Sequence, residues 1–278
     1  MFAQKAALVK LLSDNDPDTV RLVKEQLASA GEEALADLLD LDGLDDERVS
    51  AHVSDIIHRI HHRSAIEEFS LLCHFFGDGV DLEQASLALA RAMDPQMRTQ
   101  PCKHRLNHWG SEALEKISGA VSSRDRVVRL SAFLGGELGF GGNADRYYAE
   151  ENSLLPRVVE MRAGIPISLT LVYMLVGTRA AMKIEGINLP GHFIARHAGV
   201  FFDPFHGGRI LGRRDIEEIL LRQGLEPSAG HMQPASPRQI MLRMLANLRY
   251  VYNLGGDQEK FSLVESWMKV LQAGPPAG

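Results

Sequence analysis

The sequence predicts a predominantly helical α+β protein, in which a buried helix packs on a small antiparallel sheet between helical flanks. Three observations predict this. Helical periods of apolar residues fill 1–93 and return over Arg238 to Leu271. A run starting near Ile167 and ending near Met182 is apolar on nearly all sides, as a central helix should be. Directly after it the apolar period shortens to two, the signature of strands.

Along the N-terminal section, Asp16 is placed to cap a helix whose first position is Pro17, where a missing N–H costs nothing. Val20, Leu22, Val23, Leu27 and Ala30 follow the helical period. A second helix is expected from about Gly31 to Leu41, with Leu35, Leu38 and Leu39 inward. An acidic turn at 42–46 leads into Val49, Val53, Ile56, Ile57 and Ile60, and further helices are expected at about 64–76 and 82–93. Short helices joined by acidic turns resemble HEAT-type units, with Asp14 to Leu27 as one of them. Fewer repeats are legible than the three that such arrays usually need, so this section must pack on something else.

Residues 94–110 read as an irregular connection, and helix resumes from Glu112 through Phe133. The glycine-rich run Gly135 to Asn143 breaks it. No Gly-Lys-Ser/Thr follows, so this is not a phosphate loop. Ser153 is placed to cap a helix over Leu154 to Met161. Ile184, Ile187 and Leu189 read as one strand, and His192–His197 with Val200–Asp203 as a hairpin around Ala198-Gly199. Two helices split at Gly255-Gly256-Asp257 close the ordered sequence, over a span of tetratricopeptide length. A Pro/Gly-rich tail from Ala273 to Gly278 is expected to fray.

Composition narrows the function classes. The formal net charge is −6 and no basic stripe is visible, which argues against a nucleic-acid partner. Two cysteines, Cys73 and Cys102, are too few for a stapled secreted design, and the N-terminus lacks the apolar stretch of a leader. The most apolar run, Ile165 to Val176, is too short to span a bilayer. A soluble cytoplasmic protein without membrane association is expected.

Ser168, His192 and Asp203 are the candidates for chemistry. Ser168 falls in the first turn of the buried helix, where unpaired N–H groups favour an anion. If Ala198-Gly199 is a two-residue loop, His197 pairs with Val200, and Asp203 becomes a same-face diagonal neighbour of His192. One residue more in the loop would place the two on opposite faces. On the residues alone the simpler reading is favoured: Ser168 as a helix cap, His192 in a turn after Pro190-Gly191 and Asp203 as a turn opener before Pro204.

Four phrases then stand in order: GFGGN at 139–143, NSLLPRVVEMRAGIPISLTLVYMLV at 152–176, PGHFIAR at 190–196 and FFDPFHGG at 201–208. Together they resemble the bacterial SirB-type branch of transglutaminase-like proteins, tightly over about a quarter of the chain and more loosely through 243–253. The resemblance implies a papain-like core over 94–220, a HEAT-like section over 1–93 and a tetratricopeptide-type pair over 235–272. It also implies a nucleophile at the start of the buried helix, with His and Asp on the following strands. Carried over, the cysteine position falls on Ser168, and the partners on His192 and Asp203.

A serine changes the chemistry. A thiol can give its proton to a histidine and rest as an ion pair, whereas a hydroxyl needs a general base within the transition state and a good oxyanion hole. Two functions are therefore expected. The first is a vestigial or non-enzymatic module that binds a protein or peptide. The second is a serine hydrolase of amide or ester bonds using Ser168, His192 and Asp203. Asn143, Asn152 and Gly191 are candidates to line the cleft. Arg162 is expected to hold the loop before Gly164. No cofactor and no metal are expected: His58, His61 and His62 suit a solvated helix end, and Cys102, His104 and His108 match no zinc spacing.

Overall fold

The computed structural model describes residues 2–41, 46–77 and 79–274. The expected turn at 42–46 and the expected frayed tail fall largely outside these residues. The chain divides into two compact units, one made of Met1–Phe69 and Arg91–Met97, the other of Ser70–Ala90 and Arg98–Gly278.

The first unit contains α1 (Phe2–Leu12), α2 (Pro17–Ala30), α3 (Glu32–Leu39) and most of α4 (Glu47–His74). Asp16 caps α2 as expected, its carboxylate accepting the Asp18 and Thr19 N–H groups at 3.2 and 3.3 Å. Leu12, Leu38, Leu41, Val49, Val53, Ile56 and Ile60 form its core. Two helices were expected where α4 runs unbroken for 28 residues. The polar stretch around His61–Ser64 holds no Gly or Pro, so nothing in it interrupts a helix. Arg63 even supports it through an ion pair to Glu67, four residues on.

In the second unit, α5 (Leu82–Met93, shared with the first) precedes α6 (Gln100–Ile117). This helix corrects the irregular connection expected over 94–110. Pro101 sits in its tolerated first turn, and Cys102, Leu106, Trp109, Ala113 and Ile117 make one buried stripe at helical spacing. Intervening Lys, His, Arg and Asn residues mask that stripe in the sequence. Next come α7 (Ser123–Ser131), a π-helical turn (Ala132–Glu137), β1 (Gly141–Gly142), a 3₁₀ turn (Glu150–Ser153), α8 (Leu155–Met161) and β2 (Ala163–Gly164). Ser153 does not cap α8: Leu154 flanks the helix without a side-chain bond, and Ser153 is buried.

The buried helix is α9 (Pro166–Arg179), shorter than expected at its C-terminal end. It packs against both α6 and β4. The sheet follows as β3 (Glu185–Leu189), β4 (His192–His197), β5 (Val200–Asp203) and β6 (Arg209–Leu211), antiparallel in that order. Ala198 and Gly199 both have positive φ, 45° and 82°, and turn the chain in two residues, so His197 faces Val200. This is the register on which the His–Asp argument depended. Then come α10 (Arg213–Leu221), α11 (Pro237–Gly255) and α12 (Gln258–Ala273). Gly256 in the left-handed region ends α11, and Asp257 caps α12. Among the described residues no helix is long and apolar enough to cross a membrane.

Candidate active site

His192 opens β4 and Asp203 closes β5. The register of the hairpin brings them together: His192 Nε2 donates to Asp203 Oδ2 at 2.8 Å. Asp203 is 1% exposed, yet it is well supplied with donors. Pro204 starts a 3₁₀ turn that returns His206 to the same oxygen, with Nδ1 at 2.7 Å. The other oxygen, Oδ1, accepts the Phe205 N–H at 3.0 Å. Burial alone would raise the carboxyl's pKa. Hydrogen bonds and charge from His192 and His206 outweigh it and hold the group below the ordinary carboxylate value.

The Phe205 ring stands edge-on to His192, with centroids 6.3 Å apart. Gly142 makes room for it, since a Cβ there would lie 2.4 Å from the Phe205 ring. Tyr173, on α9, buries a hydroxyl that has no hydrogen-bond partner, and burial together with the Asp203 charge pushes its pKa up.

Ser168 takes no part in the His–Asp pair. It is 1% exposed, at the third position of α9. Its Oγ donates to the Asn152 carbonyl at 2.6 Å, with the Ile165 carbonyl at 3.0 Å, and accepts the Ile165 N–H at 3.1 Å. The single hydroxyl proton is thus directed at backbone. Among the described residues no hydrogen bond joins Ser168 to His192.

The two asparagines hold the preceding loop. Asn143 Nδ2 donates to Asn152 Oδ1 at 3.0 Å, and Asn152 Nδ2 donates to the carbonyls of Arg146 and Tyr147 at 2.6 and 3.1 Å. Arg162 clasps the Leu138 carbonyl at 3.0 Å. Gly191 has φ +73°, and a Cβ there would lie 2.5 Å from the Gln223 side chain, so its need is conformational.

A family model described as the transglutaminase-like superfamily matches residues 100–246. The chain belongs to that superfamily. A UPF0162 protein of Xylella fastidiosa is 37% identical over 142 residues, which cover 46% of this chain and 49% of that protein. One from Pseudomonas aeruginosa is 35% identical over 171 residues, 60% of each. F-box only protein 21 of Mus musculus is 25% identical over 152 residues, 50% of this chain and 24% of that protein. The transglutaminase-like chain thus spans about half the length of the first of these relatives. No solved structure matches it.

Sequence reasoning missed His206 in this transglutaminase-like domain. A signal was present: an Asp-Pro turn brings the third residue on back toward the aspartate.

His58, His61 and His62, expected at a solvated helix end, lie within α4 instead, because that helix continues to His74. His62 Nε2 lies 3.2 Å from the Ala92 carbonyl. Cys102 is a buried thiol whose pKa burial pushes up to about 12.

Proposed function

We propose that this transglutaminase-like chain is a non-enzymatic module, of the SirB-type branch, that binds a protein or peptide partner. One observation carries the reading: the side chain in the nucleophile's place is engaged by backbone on both its donor and acceptor sides and is shut from solvent. Activating that hydroxyl would require breaking buried bonds before any general base could reach it. The His192–Asp203 pair is then a retained part of an ancestral arrangement. Asn143, Asn152 and Gly191 shape the cleft. The N-terminal helices as a HEAT-like surface, α11 and α12 as a tetratricopeptide-type pair, and a cytoplasmic setting complete the proposal. Helical repeats ordinarily serve as binding surfaces. The match to a small part of the much longer F-box only protein 21 supports a portable module.

A fluorophosphonate probe tests the reading. No labelling of Ser168 is expected in the native chain. Labelling that disappears in Ser168→Ala would establish the serine hydrolase instead. In Ser168→Cys the new thiol is expected to alkylate no faster than Cys73 or Cys102, and rapid reaction would show an open nucleophile site.

A further inference from the structure

His192, Asp203 and His206 have a chemistry that does not depend on Ser168. We infer that these three side chains bind one divalent transition-metal ion, zinc being the probe they suit best. Two imidazole nitrogens and one carboxylate oxygen lie within 4.8 Å of one another, and among the described residues no other group of three such donors does so. Both nitrogens converge on a single oxygen, at 2.8 and 2.7 Å. A metal with bonds of about 2.0–2.1 Å would hold such atoms about 3.3 Å apart, so each nitrogen would draw back from the oxygen by about half an ångström, and the two nitrogens, within 4.8 Å of each other, would settle at a similar spacing.

The site is built to keep that geometry. His192 is paired with Leu189 across β3–β4 and Asp203 with Arg209 across β5–β6, and the Phe205 N–H pins the second carboxylate oxygen. Exposure is graded, from 2% for the Asp203 side chain through 15% for His192 to 59% for His206. The ion would enter from the His206 side, where solvent or a ligand could complete its coordination. The electrostatics agree. The ion pairs of Asp203 are to the two histidines, which are charged only when protonated, and neither is to Lys or Arg. On binding a cation each imidazole would present a lone pair at the nitrogen now facing Asp203, releasing a proton to solvent if the ring was charged or carrying its proton on the other ring nitrogen if neutral, and the ion would neutralise the buried carboxylate. Two nitrogens and one oxygen suit zinc, iron, cobalt or nickel, whereas calcium and magnesium favour all-oxygen sets.

The test is calorimetric titration of zinc into the full chain, stripped with a chelator that is then removed, together with the visible spectrum of the cobalt(II) form. One saturable equivalent and a cobalt ligand-field band are expected. His206→Ala should weaken zinc binding by at least about tenfold, since even outer-shell losses cost about 10–100-fold. His206→Asn should weaken it similarly, although its amide can still donate to Asp203, which separates ligation from a purely structural role. The double variant His58→Ala, His62→Ala should bind as the parent does. Absence of saturable binding in the parent would overturn the proposal. So would unchanged affinity in a folded His206→Ala or His206→Asn.

Discussion

The placement of one hydroxyl decides what Ser168 is for. Its bonds to the Ile165 N–H and the Asn152 carbonyl tie the start of α9 to the loop before α8. Ser168→Ala would leave both backbone groups buried and unpaired. We expect it to cost about 1–3 kcal/mol in urea unfolding, the usual penalty for a stranded buried polar group. A serine kept only as a nucleophile would show almost none. The cysteines give a second prediction at this scale. Burial pushes Cys73 and Cys102 up to about 12 each, so both stay protonated at pH 8. Alkylation by iodoacetamide should be slow in the native chain and rapid only in denaturant. Residue identity made His192 and Asp203 legible in the sequence. It could not reveal that a carbonyl sixteen residues away occupies the Ser168 proton.

Among the elements, the β4–β5 hairpin matters most, because its two-residue turn sets which side chains share a face. That turn was legible because Ala198-Gly199 sits between two alternating runs. Its first residue is a compromise, since Ala198 carries a side chain at φ 45°. Ala198→Asn should stabilise the chain by up to about 1 kcal/mol in thermal or urea unfolding, because asparagine accepts the left-handed region more readily. It should leave the His192–Asp203 pair intact, as the imidazole shifts in an NMR spectrum would report. Element boundaries were harder to read. The α6 stripe was hidden because its exposed positions carry a mixture of charged and polar residues that resembles loop. The single span of α4 was hidden because a polar stretch resembles a break when its lack of Gly and Pro is given too little weight.

Taken whole, the molecule has an N-terminal unit with its own electrostatic sensitivity. In that unit His52 has its pKa lowered by burial and by the charges of Lys24 and Arg48, with Asp55 opposing. A histidine that resists protonation when folded contributes stability above its unfolded pKa of about 6.5, and that stability is lost as pH falls below it. The urea midpoint of unfolding should therefore drop between pH 7.5 and 5.5. His52→Gln, which cannot titrate, should show a smaller drop over the same window.

The sequence by itself determined the fold class, the superfamily resemblance and the His192–Asp203 register, because these rest on local periods and on the length of one turn. Only the tertiary structure decided three further things. It continued one helix through residues 47–74 and formed another over 100–117. It brought His206 onto the oxygen that His192 already uses. It also closed the backbone around Ser168. The helix spans and the Asp-Pro turn carried local signals that polar neighbours masked, whereas the Ser168 bond joins segments sixteen residues apart, which local spacing does not encode.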